Sequence, residues 1–468
     1  MKYLFLHQNF PAQFRVIAEA LAADKGNEVL ALCQHRRPST LANVGVATYR
    51  FLREPLANQH PLLQEMEAKV LRAEAVAEAC RNLRKKGWTP DVVVAHPGWG
   101  ESMLIREVWP KVRLVSYVEY FYAAEGQDFN FDPEFTVHDE SVLAKLRLKN
   151  TVNLHALNDS DALWTATEFQ RNTFPAWARE RIQVIHEGVD MEALKPNPAA
   201  SITIAGKNLV LTAADEVVTY ASRSLEPLRG FHVFMRALPA LLKARPKAHV
   251  VIMGKEETTY GAPPRGHASW LQQLIKEVGP QLDPARVHLV GFLPPEAYRA
   301  VLQISRAHVY LTYPFVLSWS AVEALSSGAR LVAADTGPVR EILPPGSEPY
   351  VFDFFDAKAL VAATCRALAR TPAQIAADAK DARAVVKANY LAAKQVEALK
   401  TLFTAGKKTA AKTPATTKAP AAAKAPAAAK TAPRAVSASA AKSKPKAAPA
   451  KAKAKASAQL ATKTKAKA

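Results

Sequence analysis

The chain has 468 residues, 62 of them basic and 42 acidic, for a formal net charge of +20, an average that suggests nucleic acid or another acidic surface as partner. The charge is unevenly distributed: residues 407–468 hold 16 basic groups and no acidic one, leaving 46 basic and 42 acidic groups in residues 1–406. That balance excludes disorder for the body and leaves length for two or three domains.

In chain order, residues 3–6 read as a buried strand and 11–23 as a helix, with Phe14, Ile17, Ala18 and Leu21 at helical spacing. Strands are expected at 28–33, 91–95 and 113–118, with a long Ala/Leu/Glu/Lys helix at 64–86. After the hinge-like stretch 184–190, residues 191–200 carry Pro196, Asn197 and Pro198 and read as a linker. The alternation then restarts, with strands at 217–221, 249–253, 287–290, 307–312, 330–334 and 350–352. Helices are expected near 231–244, 268–278, 295–304, 319–327 and 357–370, and residues 372–403 close the body. Such alternation predicts an α/β fold of two doubly wound domains, 1–190 and 201–403, with a crevice between them. Residues 404–468 are rich in Lys, Ala and Pro and lack aromatics, so a disordered basic tail is expected there.

Cys33, Cys80 and Cys365 lie far apart without metal-binding or redox spacing, which points to a reducing compartment. The opening apolar run is too short for a signal peptide, and no stretch reaches the roughly 20 apolar residues of a membrane span. A cytoplasmic protein is expected, with peripheral contact at an anionic membrane as an option for the basic tail.

In doubly wound sheets ligands bind beyond the carboxyl ends of the strands. Arg223 and Arg229 flank such an end and would grip a diphosphate; alternatively they are solvated or pair with Glu226. Ser318 is a candidate N-cap before Trp319, and Glu323, further along that helix, would accept two ribose hydroxyls or serve only as a helix-dipole partner. In the first half His7 and Asn9, His96 and Trp99, and Glu119 all follow strands. His96 and Glu119 are candidates for catalysis, Trp99 for sugar stacking, and His7 and Asn9 for contact with donor or acceptor, each with a purely structural alternative. His186 and Glu187 sit at the hinge and are read either as crevice residues or as hinge packing. No G-x-x-x-x-G-K-[ST], H-E-x-x-H or G-x-S-x-G is present, and Asp159-Ser160-Asp161 reads as a turn rather than a metal triplet.

The stretch from Pro314 to Glu341, with S-W-S-A-V-E-A-L-S-S-G and D-T-G-P-V-R-E, resembles the donor-binding signature of glycosyltransferase family 4, whose members have two Rossmann-like domains of the GT-B type. Arg223, Arg229-Gly230, the 184–190 stretch and the opening His7-Gln8-Asn9-Phe10-Pro11-Ala12-Gln13-Phe14 support the resemblance. It implies retaining, metal-independent transfer of a sugar from a nucleotide-sugar to a glycan or lipid-linked acceptor, as in cell-surface polysaccharide synthesis, with no cofactor. It also implies that Arg223 and Arg229 neutralise the diphosphate, Glu323 holds the ribose, and amides near Ser318 and Trp319 hold phosphate or sugar oxygens. The chain departs from the pattern at Phe315, where the family usually has glutamate, and at Glu119, where it often has histidine. Two alternatives follow: a catalytically inactive sugar-binding protein of this fold, and a protein acting through its histone H1-like tail on nucleic acid or anionic membrane.

Overall fold

The computed structural model describes residues 1–35 and 41–405; the expectations for the basic tail, apart from its first two residues, lie outside them. Seven parallel strands form the first sheet: β1 (Lys2–Leu6), β2 (Glu28–Cys33), β3 (Val44–Thr48), β4 (Val92–Ala95), β5 (Arg113–Tyr117), β6 (Ala162–Thr165) and β7 (Ile182–Val184). Their spatial order is β3-β2-β1-β4-β5-β6-β7. The central strands are apolar along their length, and all four residues of β4 are buried, as a parallel sheet covered on both faces requires.

A small antiparallel pair, β8 (Ser201–Ile204) and β9 (Leu209–Thr212), introduces the second domain. Its main sheet is also parallel: β10 (Val217–Ser224), β11 (His249–Lys255), β12 (Val287–Gly291), β13 (Ala307–Tyr310), β14 (Arg330–Ala334) and β15 (Val351–Phe352), in the order β12-β11-β10-β13-β14-β15. In both sheets the order reverses beside the first strand, which opens a crevice at the carboxyl edge.

Three differences from the sequence reading have physical causes. Edge strand β3 and the β8–β9 pair escaped notice because much of their surface is exposed and their apolar signal is weak. The expected helix over 11–23 is a 3-10 turn, Ala12–Phe14, followed by the helix Arg15–Ala22. The closing helices are Pro372–Asn389 and Ala392–Thr404, and the second returns to the first domain. There Val396, Leu399, Leu402 and Phe403 pack with Tyr3, Phe14 and Trp164, and Arg113 Nη2 donates to the Leu402 carbonyl at 2.8 Å. No helix among the described residues is long and apolar enough to cross a membrane.

Candidate functional site

The strand ends of the first domain carry a connected polar network. His7 is 1 % exposed, and its Nδ1 accepts from the Asn9 amide at 2.9 Å, which leaves Nε2 to donate to Gln13 Oε1 at 2.9 Å. Gln13 Nε2 in turn donates to Glu119 Oε1 at 2.7 Å. His96 Nδ1 accepts from the Gly98 amide at 3.1 Å, so its Nε2–H faces Glu119 Oε2 at 3.3 Å. Two histidines whose tautomers are set by backbone amides thus orient one carboxylate. Burial pushes Glu119 up, but the His96 and Gln13 hydrogen bonds and the charge of Arg229 outweigh it, and the carboxyl lies below the ordinary glutamate value.

Trp99 follows on the short turn Pro97–Trp99. Its ring centroid lies 4.4 Å from that of His96 and 4.8 Å from that of His7, so one of its flanks is already occupied by imidazoles. Asn9 contributes its amide to His7. Glu187 accepts from Tyr117 Oη at 2.8 Å and sits 3.6 Å from His186; both acid and histidine are largely buried, in keeping with hinge packing.

In the second domain β10 leads into the turn Pro227–Arg229 and the helix Phe231–Ala244. Gly230 between them has φ +65°, and a Cβ there would lie 2.3 Å from the Leu311 side chain, so the turn requires glycine. Arg229 is 8 % exposed. Its guanidinium donates to Thr312 Oγ1 at 2.8 Å and to the Val316 carbonyl at 2.9 Å, with the Tyr260 and Phe315 rings beside it. Among the described residues no carboxylate pairs with Arg229, although its charge reaches Glu119 in the other domain. The pairing with Glu226 considered from sequence does not occur: that carboxylate accepts from Ser224 and from the amides of Thr259, Tyr260 and Gly261. Arg223 is exposed.

The helix Trp319–Ser326 begins after Ser318, which occupies the N-cap position without a side-chain cap bond. Its amide, expected to face a phosphate or sugar oxygen, donates instead to Tyr310 Oη at 2.8 Å. Trp319 is exposed. Glu323 lies beyond the first turn, where burial raises its carboxyl and the Tyr298 hydroxyl, donating to Oε2 at 2.6 Å, partly opposes the rise. Phe315 is 5 % exposed and packs 4.8 Å from Tyr120 and 5.4 Å from Tyr260. Sequence reasoning missed Gln13, Tyr298, Tyr310 and Thr312 because each acts on a residue from another element. Only the opening His7-to-Phe14 motif hinted at Gln13.

Asp132, Glu134 and His232 are close enough together to hold a cation, but each acid already has partners. Asp132 meets His232 at 2.9 Å and Tyr313 Oη at 2.7 Å, while Glu134 forms a two-pronged pair with Arg236.

Two doubly wound domains that face each other across their strand ends define the GT-B architecture. Residues 25–194 match the model of the glycosyl transferase family 4 group and residues 215–370 that of the glycosyl transferases group 1. The chain therefore carries the paired domains of these glycosyl transferase groups. It is 30 % identical over 163 residues to a D-inositol 3-phosphate glycosyltransferase of Mycobacterium ulcerans, covering 34 % of this chain and 31 % of that protein. The Nocardia farcinica protein of the same name is 28 % identical over 177 residues, 36 % of each chain. The match thus spans about a third of these relatives' length. Sucrose-phosphate synthase from Thermosynechococcus elongatus superimposes with TM-score 0.64 at 17 % identity, covering 86 % of this chain and 98 % of that one. Anabaena HepE in complex with UDP and glucose gives TM-score 0.60 at the same identity and coverage. These likenesses establish the fold.

Proposed function

We propose that the protein transfers a sugar from a nucleotide-sugar to a hydroxyl acceptor, with retention at the anomeric carbon and without a metal ion. The observation that carries this reading is Arg229, a largely buried cation beyond a strand end, which has no carboxylate partner among the described residues and whose charge reaches Glu119 across the crevice. A buried unpaired guanidinium is costly and is best compensated by an anion, here the donor diphosphate. The charge-assisted bonds of Arg229, joined by Arg223, would strengthen as the diphosphate departs, which favours the transition state over the bound donor. Glu323, with one oxygen held by Tyr298, offers the other to a ribose hydroxyl. Glu119, kept ionised, accepts the acceptor hydroxyl's hydrogen bond. The structures of HepE with UDP and UDP-glucose support a nucleotide-sugar donor. A glycan or lipid-linked acceptor, polysaccharide synthesis and a cytoplasmic setting complete the proposal.

Incubation with radiolabelled nucleotide-sugars and an acceptor panel should give transfer that survives chelation. Arg229→Ala should lose at least roughly 100-fold, and undiminished transfer would refute the assignment. A second reading, donor binding without turnover, is favoured by Phe315, whose ring stands among Tyr120, Tyr260 and Arg229 in place of an acid. Nucleotide-sugar binding with no transfer to any acceptor would select it.

A further inference from the structure

Three arginines meet at the amino edge of the second sheet, the edge away from the crevice. Arg306 stands directly before β13 and Arg330 opens β14, so both lie where these parallel strands begin. The crevice residues lie beyond the carboxyl ends of the same sheet. Arg370 follows the helix Ala357–Leu368, and Asp378 belongs to the closing helix Pro372–Asn389. Arg330 Nη2 and Arg370 Nη2 each hold one oxygen of the Asp378 carboxylate, the second at 2.5 Å. Arg306 Nη2 donates to the Arg370 carbonyl at 3.0 Å. The Tyr350 ring centroid lies 4.5 Å from Arg330 Cζ and 6.0 Å from Arg370 Cζ.

Charge and hydrogen bonding are both unbalanced in this cluster. Among the described residues Asp378 is the one carboxylate at ion-pairing distance from the three guanidinium groups, so three positive charges stand against one negative. Arg330 and Arg370 are 7 % and 6 % exposed. Nε and Nη1 of Arg370, Nε of Arg330 and Nε of Arg306 are buried without a hydrogen-bond partner among the described residues. Burial, followed by the charge of Arg330, pushes Arg370 below the ordinary arginine value; Asp378 opposes that shift and Arg306 adds to it. Buried donors and buried charges of one sign are costly when unmatched, and a phosphate group supplies both a compact negative charge and several acceptor oxygens. Asp378 already shows the mode of binding, with each of its oxygens in the grip of a different arginine. Its side chain is 26 % exposed, more open to solvent than either arginine that it holds.

We propose that Arg306, Arg330 and Arg370 form a phosphate-binding site at the edge of the sheet opposite the crevice, with Asp378 as the internal carboxylate that the phosphate group displaces. A phosphate dianion brings twice the charge of the carboxylate to the same donors and engages nitrogens that Asp378 leaves unused. The helix that carries Asp378 ends at Tyr390, whose carbonyl accepts from the Val189 amide at 2.8 Å and whose ring lies 5.0 Å from that of His186. Exchange of Asp378 for the ligand thus acts on the helix that reaches the hinge between the domains.

The full-length protein is titrated with inorganic phosphate at constant ionic strength while its Tm is followed, since a ligand of the native state raises it. The wild type should respond. Arg370→Gln should weaken the apparent affinity roughly 10-fold, whereas Asp378→Asn, which removes the competing charge at nearly constant shape, should strengthen it. Arg306 is partly exposed, so Arg306→Gln shows the loss even where Arg370→Gln disturbs packing. In Arg229→Ala the response should equal that of the wild type, because Arg229 lies beyond the other edge of the sheet. Four results overturn the proposal: no response in the wild type, an undiminished response in both arginine-to-glutamine variants, a weaker or unchanged affinity in Asp378→Asn, or a response lost in Arg229→Ala. Ribose 5-phosphate in place of inorganic phosphate distinguishes the sources, an equal or stronger response assigning the end of an ester and a weaker one the free anion.

Discussion

Glu119 owes its state to three side chains from other segments of the chain, His96, Gln13 and Arg229. Burial alone would raise its carboxyl, and the hydrogen bonds of His96 and Gln13 reverse the direction. A depressed folded value keeps the carboxylate charged to lower pH than a free glutamate. Replacing Gln13 with Leu removes one donor, so the acid limb of the transfer rate should move to higher pH; an unchanged limb in the pH–rate profile would show that Gln13 only fills space. His308 illustrates the opposite consequence of burial. It is 0 % exposed, bonds Thr219 Oγ1 at 2.8 Å through Nδ1, and its imidazole is pushed down to about 3. The unfolded chain therefore binds a proton that the folded chain refuses between about pH 6.5 and that value. Stability should fall as pH is lowered through this window, and His308→Phe should flatten that part of a urea-midpoint series.

At the scale of elements, the turn after β10 depends on Gly230 in the left-handed region, which brings Arg229 to its partners Thr312 and Val316. Gly230→Ala meets both an unfavourable φ and the Leu311 side chain, and should reduce donor binding together with stability. The terminal helix Ala392–Thr404 is bound to the first sheet through Phe403, which is 0 % exposed and packs 5.6 Å from Trp164 and 6.5 Å from Tyr3. Phe403→Ala should cost about 3–5 kcal/mol in denaturant unfolding, whereas a helix belonging to the second domain alone would leave the first domain's transition unchanged. Its apolar spacing announced a helix, but nothing in that spacing indicates which sheet receives it.

At the scale of the whole body, a segment following β5 crosses to the second domain. Tyr120 Oη donates to the Pro314 carbonyl at 2.8 Å, Phe131 packs on Tyr313, Phe354 and Phe355, and Glu134 meets Arg236. In a second contact between the domains, Glu341 accepts from the amides of Glu168 and Phe169, so the D-T-G-P-V-R-E motif also serves as a domain contact. Asp132 is 3 % exposed, and its bonds to His232 and Tyr313 overcome the rise that burial causes. Asp132→Ala should therefore destabilise by roughly 3 kcal/mol or more, while Arg236→Ala, at a partly exposed pair, should cost about 1 kcal/mol or less. Equal costs in thermal unfolding would contradict this account of the strap.

The alternation of buried strands and amphipathic helices is legible in the order of residues, since parallel strands covered on both faces must be continuously apolar. The same order also indicates which polar and charged groups follow the strands, among them His7, His96 and Glu119 just after a strand, Arg229 in the next turn and Glu323 in the next helix, because those groups interrupt apolar runs. Tertiary structure alone decided what each of them faces. It turned Glu226 toward backbone amides rather than an arginine, gave the Ser318 amide to Tyr310, joined His7 to Glu119 through Gln13, and gathered three arginines at one sheet edge against a single carboxylate. Local pattern follows from the period of a strand or helix, which neighbouring residues encode. Hydrogen-bond partners and electrostatic fields depend on distances between residues far apart in the chain, and only packing sets those distances.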